Sequence, residues 1–236
     1  MPELPEVEIV KRSLKNKVNY KKIKKVIIKN RNLRFKIEKN FENLLKDRII
    51  INISRFSKYI ILTLNNYSYL LIHLGMSGTL HLISNKKKEK ITNMSFYRSK
   101  TLPQKHNHII IKFKEFIIVY NDPRRFGFFK ILSNKSELIN YFKNHGPEAI
   151  SPNFNLKYIK REFVNKKKNI KNFLLDQKFV SGIGNIYANE ILFYCKINPM
   201  KKAKNITINE FKKIIKYSNF VLKKAISRGG SSIRDF

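Results

Sequence analysis

The chain has 236 residues, 42% of them hydrophobic, and carries 50 Lys and Arg against 16 Asp and Glu for a formal net charge of +34. That length and apolar fraction support a buried core in one large or two modest domains and exclude a disordered basic tail, while the charge predicts attraction to polyanions, nucleic acid foremost. A single Cys195 excludes an internal disulfide and a cysteine-built zinc site, and with no apolar run of about 18 residues and no signal-peptide pattern the expected location is the cytoplasm.

In chain order, apolar residues at Val7, Val10, Leu14 and Val18 have the spacing of one helix face, with Pro5 suited to the first turn and Glu6 and Glu8 favourable near its N-terminus. Eight short β-rich runs follow: "KKVIIKN", "RIIINIS", "KYIILTLNN", "YLLIHLG", "GTLHLIS", "HIIIKFK", "EFIIVYND" and "FGFFKIL". Without intervening helices they predict an antiparallel sandwich, interrupted by a long polar loop from Asn85 to Lys105 in which Lys86 to Lys88 is a solvated charge run. After "NHGPEAISP" the pattern turns helical, at about 156–164, 169–180, 186–195 and 208–228. The expected organisation is an α+β chain with a β domain over 1–140, a hinge over 141–150 and a helical domain over 151–236. There is no internal repeat. Lys, Asn and Ile dominate the composition, as drift toward AT-rich codons would produce, so the charge alone does not establish specificity.

The opening octet, MPELPEVE, places three carboxylates in a strongly basic chain. Pro at position two predicts removal of the initiator Met, which leaves Pro2 with a free secondary amine. An α-amino group titrates at about 7.7–8.0, so an appreciable neutral fraction exists near pH 7. Such an amine attacking C1′ of a nucleotide displaces the base and leaves an iminium that is cationic at any pH, because it has no proton to lose. That electron sink acidifies the C2′ hydrogen and leads to loss of the 3′ phosphate. An acid beside the amine is needed for proton transfer, and Glu3 is adjacent in sequence. The alternative is that Glu3, Glu6 and Glu8 merely complement a helix N-terminus.

The octet, with "HLGMSG", "NDPRRFG", "GIGNIYANE" and "RGGSSIRDF", resembles the formamidopyrimidine-DNA glycosylase family, in colinear order from Met1 to Phe236. The resemblance implies an N-terminal β-sandwich with a leading helix, a C-terminal helical domain containing a helix-two-turn-helix, and removal of oxidised purines such as 8-oxoguanine from double-stranded DNA by a monomer, with abasic-site lyase activity. It further implies that Pro2 is the Schiff-base nucleophile, Glu3 the proton donor and Lys58 the phosphate-contacting lysine that assists elimination. Lys58 taken alone reads as one more surface lysine.

By the same resemblance Met76 fills the void left by the extruded base, Arg124 faces the orphaned base and Phe126 wedges the opposite strand. Each has a plainer alternative: Met76 and Phe126 as core, and Asp122 simply pairing with Arg125. Gly75, Gly78 and Gly127 favour projecting turns. His106, Lys166, Lys171 and Asn185 match DNA contacts of the family. Gly182 and Gly184 before a helical run predict N–H groups at a helix start open to a phosphate. Family members continue with a lesion-covering loop and a four-cysteine zinc finger, whereas this sequence stops at Phe236, so no zinc and no other cofactor is expected. The rivals are an endonuclease VIII-like glycosylase of oxidised pyrimidines, disfavoured by "PELPEVE" with "DPRRFG", and a noncatalytic DNA-binding protein.

Overall fold

The computed structural model describes residues 2–84, 92–93, 105–163 and 166–230. The chain divides into two compact units, one of residues 1–2 and 6–141, the other of residues 3–5 and 142–236. The end of "RGGSSIRDF" and the run Lys86 to Lys88 lie outside the described residues.

In the first unit, α1 (Leu4–Val18) is followed by β1 (Lys25–Ile28), α2 (Phe41–Leu45), β2 (Ile50–Phe56), β3 (Tyr59–Leu64), β4 (Tyr69–His73) and β5 (Thr79–Ser84). Then come β6 (Thr92–Asn93), β7 (Asn107–Lys112), β8 (Phe116–Asn121), β9 (Phe128–Leu132) and α3 (Lys135–Phe142). The strands form two antiparallel sheets, ordered β1-β7-β8-β5-β6 and β2-β3-β4-β9. Val7, Val10, Leu14 and Val18 line the buried face of α1 and share one core with Ile60 and Leu62 of β3 and Ile109 and Ile111 of β7. Burial of each such side chain contributes roughly 1.5–3 kcal/mol. In the second sheet Tyr59 lies opposite His73, and His73 opposite Phe128, which sets three rings in a row across the strands.

All eight expected strands form, and a ninth, β6, arises inside the stretch expected to be loop, pairing with β5 through His81↔Asn93 and Leu82↔Thr92. Two residues are too few to show an alternation in sequence. Two helices were also hidden from periodicity. α2 has five residues, and α3 buries none of its eight, so neither carries an apolar stripe long enough to read.

The second unit contains α4 (Leu156–Phe163), α5 (Ile170–Leu175), α6 (Asn185–Cys195), a 3-10 turn (Ala203–Asn205) and α7 (Ile208–Ser227). Asn169 caps α5 by accepting from Asn172 N at 2.8 Å, and Thr207 with Glu210 forms a capping box at the start of α7. Phe163 anchors an aromatic core, its ring centre 4.5 Å from Phe173 and 4.8 Å from both Phe179 and Phe211. α5 is shorter than the expected 169–180. Asp176 leaves helical geometry and its carboxylate accepts from Lys178 N at 3.1 Å, a local bond that competes with continuing the helix.

Candidate functional site

The Gly182–Gly184 loop and α6 are built around residue 3. Glu3 is 1% exposed. Its Oε2 accepts from Gly184 N at 2.6 Å and Tyr187 N at 3.4 Å, and its Oε1 from Ile186 N at 2.9 Å. These are orphan donors of the helix start, where a carboxylate also complements the dipole. The expectation of a helix start open to phosphate is therefore corrected: Glu3 occupies those donors. Glu3 does complement a helix N-terminus, as the plainer alternative had it, and the helix is α6, 181 residues away at Gly184.

The glycines make that approach possible. A Cβ on Gly184 would lie 2.4 Å from the Glu3 carboxyl carbon, and one on Gly182, whose φ is +96°, 2.5 Å from Leu4 Cδ1. Leu4 N donates to Gly182 O at 3.0 Å. Gln177 fastens the loop, accepting from Gly182 N at 2.9 Å through Oε1 and donating to Ile183 O at 2.8 Å through Nε2. Asn185, first residue of α6, is exposed. Lys166 is exposed after α4, and Lys171 is half-buried in the first turn of α5.

In the β unit Pro2 is buried. Lys58, in the turn between β2 and β3, is 6% exposed, which corrects its reading as one more surface lysine. Behind this turn lies His73, whose ring stacks on Phe128 at 5.3 Å and whose Nδ1 accepts from Gly75 N at 3.1 Å. Burial first, then the positive charges of Lys58 and Arg34, push the His73 pKa down to about 4. The folded protein thus holds the neutral ring, while the unfolded chain takes up a proton near 6.5. The stability this contributes is whole above pH 6.5 and is lost as pH falls toward 4, ~3 kcal/mol in all. Between pH 7 and pH 4.5 the melting midpoint should fall about 5–10 °C further in the parent than in His73→Gln. Parallel falls in the two proteins would remove His73 as the cause.

Gly75 begins one of two interlocked turns. "HLGMSG" connects β4 to β5, and "NDPRRFG" connects β8 to β9. At Gly75, φ +66°, a Cβ would lie 2.4 Å from Gly127 N, and at Gly127 it would lie 1.8 Å from Tyr120 Oη. The two backbones touch because neither glycine has a side chain. Beneath them Asp122 is fully buried, accepting from Ser77 Oγ at 2.5 Å, from Tyr120 Oη and Gly127 N at 2.9 Å, and from Arg124 N at 3.3 Å. Burial and the Asp122 charge push the Tyr120 phenol far above its ordinary pKa and keep it a donor. The alternative that pairs Asp122 with the Arg125 side chain is thereby corrected. Arg125 meets it only through the backbone, N to O at 3.2 Å.

The interlock projects side chains outward. Met76 is 38% and Phe126 43% exposed, so the reading of either as core is corrected. Arg124 is exposed, its guanidinium carbon 4.7 Å from the Phe126 ring centre. His106 is exposed at the start of β7, and its carbonyl accepts from Asp122 N at 3.0 Å, which ties it to the same turn. Sequence reasoning missed Arg34 and Phe35. Arg34 N donates to Gly127 O at 3.3 Å, and Phe35, exposed, meets Phe128 edge-on at 4.9 Å. A groove of about 610 Å³ runs between Arg34, Arg124, Arg125 and Phe126. The basic and aromatic pairing in "RNLRF" was the available signal.

Among the described residues no three His, Cys, Asp or Glu side chains form a metal-binding group. Cys195 is buried at the end of α6, and burial first pushes its thiol up to about 12.

Residues 1–129 match the formamidopyrimidine-DNA glycosylase N-terminal domain family, and residues 145–236 the formamidopyrimidine-DNA glycosylase H2TH domain family. The chain is 39% identical over 237 residues to the formamidopyrimidine-DNA glycosylase of Wolbachia sp. subsp. Drosophila simulans (strain wRi), covering 100% of this chain and 82% of that one. The corresponding protein of Rickettsia bellii (strain OSU 85-389) is 40% identical over 239 residues, with the same coverage of 100% and 82%. A Lactococcus lactis FPG mutant solved in complex with a Fapy-dG containing DNA superposes with a TM-score of 0.88 at 30% identity, covering 100% of this chain and 82% of that one. Lactococcus lactis Fpg in complex with an abasic site containing DNA gives 0.85 at 31% identity, covering 98% and 81%.

Proposed function

Because this chain belongs to the formamidopyrimidine-DNA glycosylase family, we propose that it removes oxidised purines from double-stranded DNA through a Schiff base on Pro2, then cleaves the strand by elimination. It is a base-excision-repair glycosylase with lyase activity, and the match at both domains favours that assignment over the endonuclease VIII-like and noncatalytic readings. The observation that carries the reading of its DNA contacts is the interlock of the two turns, which holds Met76, Arg124 and Phe126 outward on backbones that cannot spread.

Extruding a base costs a few kcal/mol of stacking and pairing, which inserted apolar side chains offset. Met76 fills the vacated space and Phe126 enters the opposite strand, while the planar fork of Arg124 reads the base left unpaired. With the base extruded, the Pro2 lone pair forms a bond to C1′ and the departing base takes the glycosidic electrons and a proton. Glu3 supplies the proton for opening of the sugar. Loss of the C2′ proton then expels the 3′ phosphate, a step assisted by Lys58. His106, Lys166, Lys171 and Asn185 hold phosphates, which sets affinity and its salt dependence without specifying sequence. The reading places the protein on DNA in the cytoplasm. No described helix is long and apolar enough to cross a membrane.

Borohydride trapping on a duplex containing 8-oxoguanine opposite cytosine tests the reading. The expected result is a covalent adduct through the N-terminal residue, and binding without an adduct would overturn it. Arg124→Ala should lower discrimination among bases opposite the lesion by about tenfold or more, on the order of 1–3 kcal/mol, with nonspecific binding kept. A uniform loss across sequences would recast Arg124 as a phosphate contact.

A further inference from the structure

Glu8, the last acid of the opening octet, has no part in the chemistry above, yet it sits at the head of a part-buried chain of charge-assisted hydrogen bonds. Its Oε1 accepts from Lys11 Nζ and Arg12 Nε, both at 2.8 Å, and its Oε2 from Arg55 Nε at 2.9 Å. Burial alone would raise the Glu8 carboxyl, but the bonds from Lys11, Arg55 and Arg12 outweigh it and hold the group below its ordinary value, so it is ionised.

Lys11 and Arg12 are neighbours on the same helix, three and four residues on, and such pairs form wherever the spacing allows. Arg55 differs. It lies on β2, 47 residues away, and its side chain is 6% exposed. Its Nη1 donates to Ser57 O at 2.9 Å. That carbonyl belongs to the peptide joining Ser57 to Lys58, and Ser57 holds a φ of +53°, a left-handed conformation that costs a non-glycine residue and persists only when its surroundings enforce it. A buried guanidinium needs an anionic partner, and the Glu8 carboxylate at 2.9 Å is one that holds Arg55 in place.

We propose that Glu8 and Arg55 form a positioning device for Lys58: the ion pair clamps the 57–58 peptide in its left-handed turn and so sets where the lysine amine stands during elimination. The inference rests on the reading of Lys58 as the group that assists that step. Glu8 acts through Arg55 and the turn, and is a positioning residue.

The test uses the full chain and DNA carrying a preformed abasic site, on which Schiff-base formation, read by borohydride trapping, is separated from strand cleavage under single-turnover conditions. Glu8→Gln keeps the size and an acceptor oxygen and removes the charge. It should slow cleavage about tenfold while trapping stays within about twofold of the parent. In a Lys58→Ala background the same substitution should produce no further loss of cleavage, because its effect passes through the amine already removed. An equal loss with and without Lys58 would show a general structural effect and overturn the proposal, as would unchanged cleavage in Glu8→Gln.

If Lys58→Ala alone leaves cleavage unchanged, the reading of Lys58 falls and the positioning role falls with it. If Lys58→Ala slows cleavage and Glu8→Gln does not, only the positioning role falls. Should Glu8→Gln fail to fold, Arg55→Lys serves as the second variant. It retains a cation for Glu8 and lacks the fork needed to reach Ser57 O as well, so it should show the same selective loss of cleavage.

Discussion

Pro2→Gly should lose borohydride trapping by about a hundredfold or more, ~3 kcal/mol in the barrier, while binding of lesion DNA is retained. The substitution leaves an N-terminal amine in place and removes two properties that the chemistry uses. Attack by a secondary amine yields an iminium with no proton to lose, so the positive charge that draws electrons from C2′ persists at every pH. A glycine amine yields an imine that sheds its proton and its charge. The pyrrolidine ring also fixes the nitrogen and its lone pair relative to Cα, whereas a glycine amine turns freely about its N–Cα bond, and a nucleophile spread over many orientations loses the advantage of being held at the reacting carbon. Gel shift and trapping on the same duplex separate binding from chemistry. Equal trapping by the variant would show that the reaction needs neither the ring nor the permanent iminium charge of Pro2, and mass spectrometry showing Met1 uniformly retained on active protein would show that another amine carries the reaction.

Asp122→Ala should be the most destabilising single change at the candidate site, by ~3–5 kcal/mol, read as a drop of about 10 °C in melting midpoint. Its carboxylate is fully buried and accepts from the Ser77 and Tyr120 hydroxyls and from the Gly127 and Arg124 amides. Alanine would strand the Tyr120 hydroxyl and the Gly127 amide without an acceptor, and an unsatisfied buried donor costs more than its bond contributed. Both turns rest on this one group, so the loss should reach DNA binding through Met76, Arg124 and Phe126 at once. A variant that melts within about 2 °C of the parent, or that loses stability but keeps full discrimination at the lesion, would show that the turns are held by other means.

The order of secondary structure was legible because its signals are local. The alternation in "KYIILTLNN" and the spacing of Val7, Val10, Leu14 and Val18 report which face of one strand or helix is buried, and each needs only a dozen residues of context. Short or solvent-facing elements escaped for the same reason: α2 is too brief for a period, and α3 buries nothing that would produce one. At the site, the glycines of the two turns marked where side chains project, and Met76, Arg124 and Phe126 are indeed exposed there.

The series of strands and helices, the family motifs and the residue types available for chemistry are all carried by neighbouring positions and so could be read along the chain. Tertiary structure alone decided which group each charged side chain would serve. In sequence Glu3 is an acid beside an amine, and in the fold it also caps α6; Lys58 alone looks like a surface lysine and is buried; pairing with Arg125 is one alternative for Asp122, which in the fold carries two turns. Hydrogen-bond donors from residues far apart in the chain leave no periodicity behind them. A buried carboxylate takes whichever donors the packing brings within about 3 Å, and that choice is settled only when the core has closed.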